Sequence, residues 1–229
     1  MNFSTSEENY LKAVYHLQHA NNLVTTNELA AHLNTKAASV TDMLKKLKIK
    51  KMLHYEPYQG VTLSNEGKKV ALAIVRKHRL WEYFLVNELE FGWDQVHSIA
   101  EELEHIRSPL LIERLDAYLQ FPKFDPHGDP IPDSNGKMET AKQVVLTDLE
   151  PNCKAEVSAV GSQSTGLLEL LRHKNIGIGT VIEVVRKFSF DNSIEIMIKK
   201  HPPFSISQQL AQTLFVKPIY VSTNGSIAK

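Results

Sequence analysis

Between Phe124 and Asp133 the chain reads Phe-Asp-Pro-His-Gly-Asp-Pro-Ile-Pro-Asp, and three prolines in ten residues exclude a helix there. Hydrophobic periodicity differs on the two sides of this break. Before it, apolar residues recur at three- and four-residue intervals; from Lys142 onward they fall in short strand-like runs. Such a division predicts a mainly α fold with a small β domain, joined through a flexible stretch over Ser134 to Thr140.

The helical part opens with a predicted helix from Glu7 to Ala20, for which Ser4, Thr5 and Ser6 offer caps and Thr5 with Glu8 has capping-box spacing. A second helix is expected over Asn27 to Leu33 with Thr25 or Thr26 as cap, then a polar turn, Asn34-Thr35-Lys36, and a third helix from Ala37 to Lys51. In the third helix Val40, Met43, Leu44 and Leu47 form a buried stripe, while Ala38, Thr41, Asp42, Lys45 and Ile49 lie opposite. Leu53 to Glu56 and Val61 to Leu63 read as two strands joined by Pro57-Tyr58-Gln59-Gly60. Helix, helix, turn, helix, hairpin is the order of a winged helix-turn-helix.

A generic three-helix unit used for protein contacts shares that order, but the charge favours DNA. Residues 35–79 carry eleven Lys and Arg against three acids, and residues 82–116 carry two against nine, so a net charge of zero hides two opposed blocks. Lysines 36, 45, 46, 48, 50 and 51 suit phosphates, and small or polar residues at the start of the third helix suit base edges. The expected DNA contacts are Lys36, Ala38, Ser39, Thr41, Asp42, Lys45 and Lys46.

A long helix is expected from Asn65 to Glu88, another from Asp94 to Arg107, and a third starting at Ser108-Pro109. On the second of these, His97, Glu101, Glu104 and His105 fall at i, i+4, i+7 and i+8 and can face one point; on the first, His78 and Glu82 are four apart. Two helices that each present His and Glu in this way suit a divalent metal site of mixed nitrogen and oxygen donors. The lone Cys153 excludes a disulfide and a CxxC zinc site, and no HExxH is present. Mn²⁺ or Fe²⁺ suits such donors, and Zn²⁺, Co²⁺ or Ni²⁺ would bind in vitro. No spacing indicates an enzyme or a small organic substrate. No apolar run reaches membrane-spanning length and the N-terminus lacks signal-peptide character, so a cytoplasmic protein without a membrane partner is expected.

Beyond the break, Val144 to Thr147, Lys154 to Val157, Val181 to Val185 and Ile194 to Ile198 read as strands, with one helix over Gly166 to Lys174. Short strands in this number suggest a small β-barrel.

Several segments in order resemble the diphtheria-toxin-repressor and manganese-transport-regulator family of metalloregulators. They are Glu8 to Tyr15, Ser39-Val40-Thr41, Leu63 to Gly67, Arg76 to Leu80, Glu104-His105 and Gly128 to Pro132. The resemblance implies a winged-helix DNA-binding domain over 1–73, a helical metal-binding and dimerisation domain with linker over 74–140, and a C-terminal SH3-like domain over 141–229. It further implies a homodimer on double-stranded operator DNA that represses metal-uptake genes when metal is bound. Carried over by position, one metal site would use Asn9, Glu101, Glu104 and His105, and a second His78, Glu82 and His97. Glu101 stands where iron-type members have cysteine and manganese-type members glutamate, which tilts the expected metal toward manganese. Lys12 stands where manganese-type members supply a ligating glutamate, and an ammonium cannot ligate. The alternatives are an iron-responsive repressor of the same family and a winged-helix regulator not gated by metal.

Overall fold

The computed structural model describes residues 3–18, 23–56, 59–140, 142–199 and 201–219. The chain forms two compact units. The first comprises residues up to Glu88, Ser98–Lys123 and Ile131–Glu139; the second comprises Leu89–His97, Phe124–Pro130 and the chain from Thr140.

In the first unit α1 (Thr5–Gln18), α2 (Thr26–His32) and α3 (Ala37–Ile49) precede a hairpin, β1 (Leu53–Glu56) and β2 (Gly60–Leu63). The expected end of the first helix at Ala20, and Pro57-Tyr58 of the hairpin turn, lie outside the described residues. Of the caps expected for α1 Ser4 is the one used, but the capping box lies one residue earlier than Thr5 and Glu8. Ser4 and Glu7 close the capping box, with Glu7 N–H donating to Ser4 Oγ (3.3 Å) and Ser4 N–H to Glu7 Oε2 (2.9 Å). Thr25 and Glu28 form the same device at α2. Asn34 turns the chain into α3 with φ 46°, a left-handed conformation that asparagine tolerates.

The anticipated stripe on α3 is buried at Val40, Leu44 and Leu47 and half-buried at Met43. It packs with Leu11 and Val14 of α1, Leu29 of α2 and Val61 of β2. Leu53 pairs with Leu63 and Glu56 with Gly60, and Val24 adds a bridge to Val61. The hairpin is thereby a wing tied to the core.

The long α4 (Asn65–Asn87) is capped by Ser64, which accepts from Gly67 N–H at 3.0 Å. It packs beside α5 (Val96–Leu103) and α6 (Pro109–Tyr118) through Leu80, Trp81, Ala100, Ile112 and Leu115. α5 is shorter than the expected Asp94 to Arg107. Glu104 and His105 lie in the turn just past it, because Ser108 and Pro109 begin the next helix and the chain must first leave helical geometry.

In the second unit β3 (Val144–Val145), β4 (Lys154–Val160), β5 (Val181–Lys187), β6 (Ile194–Ile198), β7 (Phe204–Ile206) and β8 (Leu214–Pro218) form an antiparallel sheet. Its order is β3-β8-β4-β5-β6-β7. α7 (Thr165–His173) and the short α8 (Gln208–Gln212) complete a core that includes Leu168, Leu171, Ile182, Ile196 and Leu210. The proline-rich break is ordered against this sheet. Val160 N–H donates to His127 O (3.0 Å), and Gly128, with φ +87°, approaches Ser158 O where a Cβ would lie only 2.0 Å away.

A similar close approach fixes the wing to α4. A Cβ on Gly67 would sit 1.8 Å from Met52 O, a backbone atom that also accepts from Ser64 N–H. Gly67→Ala is expected to destabilise the protein by about 1–3 kcal/mol through overpacking, read as a lowered urea midpoint with an unchanged slope.

Candidate metal centre

Three elements of the first unit bring ionisable side chains together. α1 supplies Glu8, Asn9 and Lys12; α4 supplies His78 and Glu82; α5 and the turn after it supply Glu101, Glu104 and His105. At the centre is Glu104, whose carboxylate is wholly buried. Its Oε1 accepts from Lys12 Nζ at 2.6 Å, and its Oε2 lies 2.7 Å from His78 Nδ1. Lys12 Nζ donates equally to Glu101 Oε1, also at 2.6 Å. His78 Nε2 lies 2.9 Å from Glu82 Oε1, another fully buried carboxylate.

A neutral imidazole has one donor nitrogen, so bridging two carboxylates suits the imidazolium, in which both nitrogens donate. Burial disfavours that charge. The hydrogen bonds to Glu104 and Glu82, with the nearby Glu82 charge, outweigh it and raise the His78 pKa to about 9.

At the edge of the cluster His105 Nδ1 lies 2.6 Å from Glu8 Oε2, and His105 Nε2 is 3.6 Å from Glu104 Oε1. Asn9 Oδ1 is buried and has no hydrogen-bond partner among the described residues. One donor atom each from His78, Glu101 and Glu104 lies within 4.8 Å of the others. These converging carboxylate and imidazole donors, with a buried orphan oxygen on the helix that supplies Glu8 and Lys12, fit a divalent cation that accepts nitrogen and oxygen ligands.

Of the residues expected at one site, Glu101, Glu104 and His105 are gathered here. Of the other expected set, His78 and Glu82 lie in the same cluster, and His78 touches Glu104, so the two sets meet. His97 is exposed near the start of α5 and belongs to the second unit. Two participants escaped the sequence-level ligand set. Glu8 was assigned to capping, a role that Glu7 fills, and its register one turn before Lys12 was the available signal. Lys12 enters the sequence analysis only as an ammonium that cannot ligate; the structure bonds it to two glutamates.

Glu7 serves a different neighbour. It is buried, and Lys50 and Lys46 of α3 approach its Oε1 at 2.7 and 3.2 Å. Burial alone would raise its pKa, but Lys50, the Ser4 N–H and Lys46 together lower it to about 2. α1 is thus bonded on one side to the cluster and on the other to α3.

On the outer face of α3, Ala38, Ser39, Asp42 and Lys45 are exposed, as is Lys36 just before it. Thr41 is half-buried and donates to Ala37 O. Lys46 keeps 56% of its side-chain exposure beside Glu7. A groove between α2, α3 and the wing is lined by Thr25, Asn27, Thr41, Lys45, Tyr55 and Gly60.

Comparison with known proteins gives consistent matches. The N-terminal DNA-binding domain of iron-dependent repressors matches residues 2–61, their metal-binding and dimerisation domain residues 64–133, and the FeoA domain residues 144–218. The iron-dependent repressor of Mycobacterium leprae is 25% identical over 224 residues, 93% of this chain and 96% of that protein. A solved manganese-dependent transcriptional repressor in complex with manganese is 31% identical, with 93% of this chain and all of that one covered and a TM-score of 0.83. The structure of ScaR with bound Cd²⁺ is 30% identical, with 93% and 99% covered and a TM-score of 0.77.

His78 provides a pH test of the cluster. A raised folded-state pKa contributes stability in full below the ordinary value of 6.5 and loses it as pH rises through about 9. The melting temperature of the metal-free protein should therefore fall between pH 6.5 and 9, and His78→Gln should flatten that fall. Identical pH profiles for the two proteins would exclude the imidazolium bridge.

Proposed function

Because the chain belongs to the diphtheria-toxin-repressor family of metal-dependent transcriptional repressors, we propose that it binds operator DNA as a cytoplasmic homodimer under control of Mn²⁺ or Fe²⁺ and represses metal-uptake genes. The observation that carries this is the double attachment of α1: Glu8 and Lys12 reach the cluster while Glu7 grips α3. A divalent cation supplies a multidentate link between side chains of different elements.

Glu101, Glu104 and His105, with Asn9 from α1, would hold that cation, and His78, Glu82 and His97 would form a second ligand set. Fixing α1 fixes α3, and in a dimer it would set the two readers at a spacing near 34–36 Å, that of successive major grooves. Metal favours this arrangement only as far as it binds it more tightly than the alternatives. Lys36, Ala38, Ser39, Thr41, Asp42, Lys45 and Lys46 would contact DNA. Exposed Leu110, Leu111 and Tyr118 on α6 support self-association.

The division into a reader over 1–73, a metal-binding and dimerisation part over 74–140 and an SH3-like part over 141–229 is part of this assignment. Carboxylate and imidazole donors without thiolate favour manganese over iron, and zinc, cobalt or nickel would bind in vitro by the ordinary affinity order.

Fluorescence anisotropy on duplexes selected from genomic DNA, with Mn²⁺, Fe²⁺ or chelator, tests the assignment. Affinity should rise at least tenfold with metal in the wild type and show no metal dependence in Glu104→Ala, whereas Glu82→Ala should retain a weakened response. Equal affinity with metal and chelator would refute metal control. On the reader, Lys45→Ala should weaken every duplex alike and reduce the salt slope by about 0.9 for a lost phosphate contact. A changed base preference at constant slope would place Lys45 on a base instead.

A further inference from the structure

The ammonium of Lys12 stands 2.6 Å from one oxygen of Glu101 and 2.6 Å from one oxygen of Glu104. Its side chain is only 11% exposed, and the Glu104 carboxylate is wholly buried. These two ion pairs cross from α1 to α5 and its following turn, and with Glu104 Oε2 beside His78 they leave both Glu104 oxygens with partners. Two carboxylates converging on one point repel each other unless a cation lies between them. In this chain a side chain supplies that cation.

A divalent ion that takes Glu101 and Glu104 as ligands would need the same oxygens. Carboxylate oxygens bind such ions at roughly 2.0–2.2 Å, so an ammonium still bonded to a shared oxygen would lie within about 5 Å of the ion. At that separation, in a mostly buried site, the repulsion is poorly screened. Retaining both cations is therefore unfavourable, and α1 offers Asn9 Oδ1 in exchange, three residues before Lys12 on the same face and without a hydrogen-bond partner among the described residues.

Resting on the assignment of this cluster as the metal centre, we propose that Lys12 is a tethered cation that occupies the Glu101–Glu104 carboxylate pair in the metal-free protein and is exchanged for the metal ion rather than joined by it. Three consequences follow from the exchange. Lys12 raises the metal concentration at which the site fills. It holds α1 against α5 when metal is absent. It limits the carboxylate pair to one divalent ion, with the α1 contact passing from Lys12 to Asn9.

The test compares chelator-stripped wild type with Lys12→Met in the full chain. Calorimetric titration with Mn²⁺ alone should show at least tenfold tighter binding by the variant. The metal-free variant should melt below the metal-free wild type, because the two carboxylates lose their counter-charge, and Mn²⁺-saturated forms should differ less. Lys12→Gln, which keeps a hydrogen-bond donor without the charge, carries the same expectation and serves if the methionine variant fails to fold. Equal or weaker Mn²⁺ binding by the folded variant would overturn the role of Lys12 while leaving the metal centre standing. Binding of neither Mn²⁺ nor Fe²⁺ by either form would overturn the metal centre itself. Binding by the variant alone would support the exchange and show that Lys12 shuts the wild-type site.

Discussion

Glu104 is a carboxylate removed from water, and the positions of three helices follow from the groups that compensate it. An ion of this size loses several kcal/mol of hydration on burial, which only close opposite charge and hydrogen bonds return. Lys12 from α1 and His78 from α4 provide them, at 2.6 and 2.7 Å. Both donors must arrive from elements distant in sequence, so the buried charge specifies how α1 and α4 approach the end of α5. Apolar packing through Leu80, Trp81 and Ala100 holds the same neighbourhood together but fixes direction less sharply.

If the cluster holds the metal as proposed, cation selectivity has to arise there. First-row divalent ions follow a common affinity order at nitrogen and oxygen donors, so donor type alone separates them poorly. What this chain adds is charge already in place: Lys12, and a His78 whose pKa lies near 9 and which must release a proton before it can ligate. Both oppose an incoming cation. An ion enters only where its bonds exceed those that the side chains already make, which makes the site a competitor with its own residues.

Much of this was legible in the sequence, in proportion to how local the cause was. The stripe Val40, Leu44, Leu47 on α3 and the strand Ile194–Ile198 follow from periodicity, and the structure places them as read. The edge strand β7 has only three residues, too few for alternation to register, and β8 follows the polar helix α8 without a glycine or proline to mark the boundary. Periodicity overextends α5 because Glu104 and His105 continue its spacing, although the chain has already begun to turn toward Pro109. The residue types of the candidate centre stood out through their i, i+4 intervals. The pairing of Glu8 with His105 and of Lys12 with two glutamates spans 89 to 97 positions in sequence, and no local pattern encodes it.

The same non-local pairing lets one helix touch both the proposed metal centre and the proposed reader. Glu7 and Glu8 are adjacent, about 100° apart around α1, so their carboxylates serve different neighbours. Glu8 meets His105 at the cluster; Glu7 meets Lys46 and Lys50 of α3. Lys46 is half exposed, and on the proposed function a DNA phosphate that engaged it would compete with Glu7 for the same ammonium. Linkage then runs in both directions. On the proposed function, a cation that shifted Glu104 would alter the anchoring of α1 against α3, and DNA that engaged Lys46 would alter, by the same free energy, the affinity of the cluster for its cation.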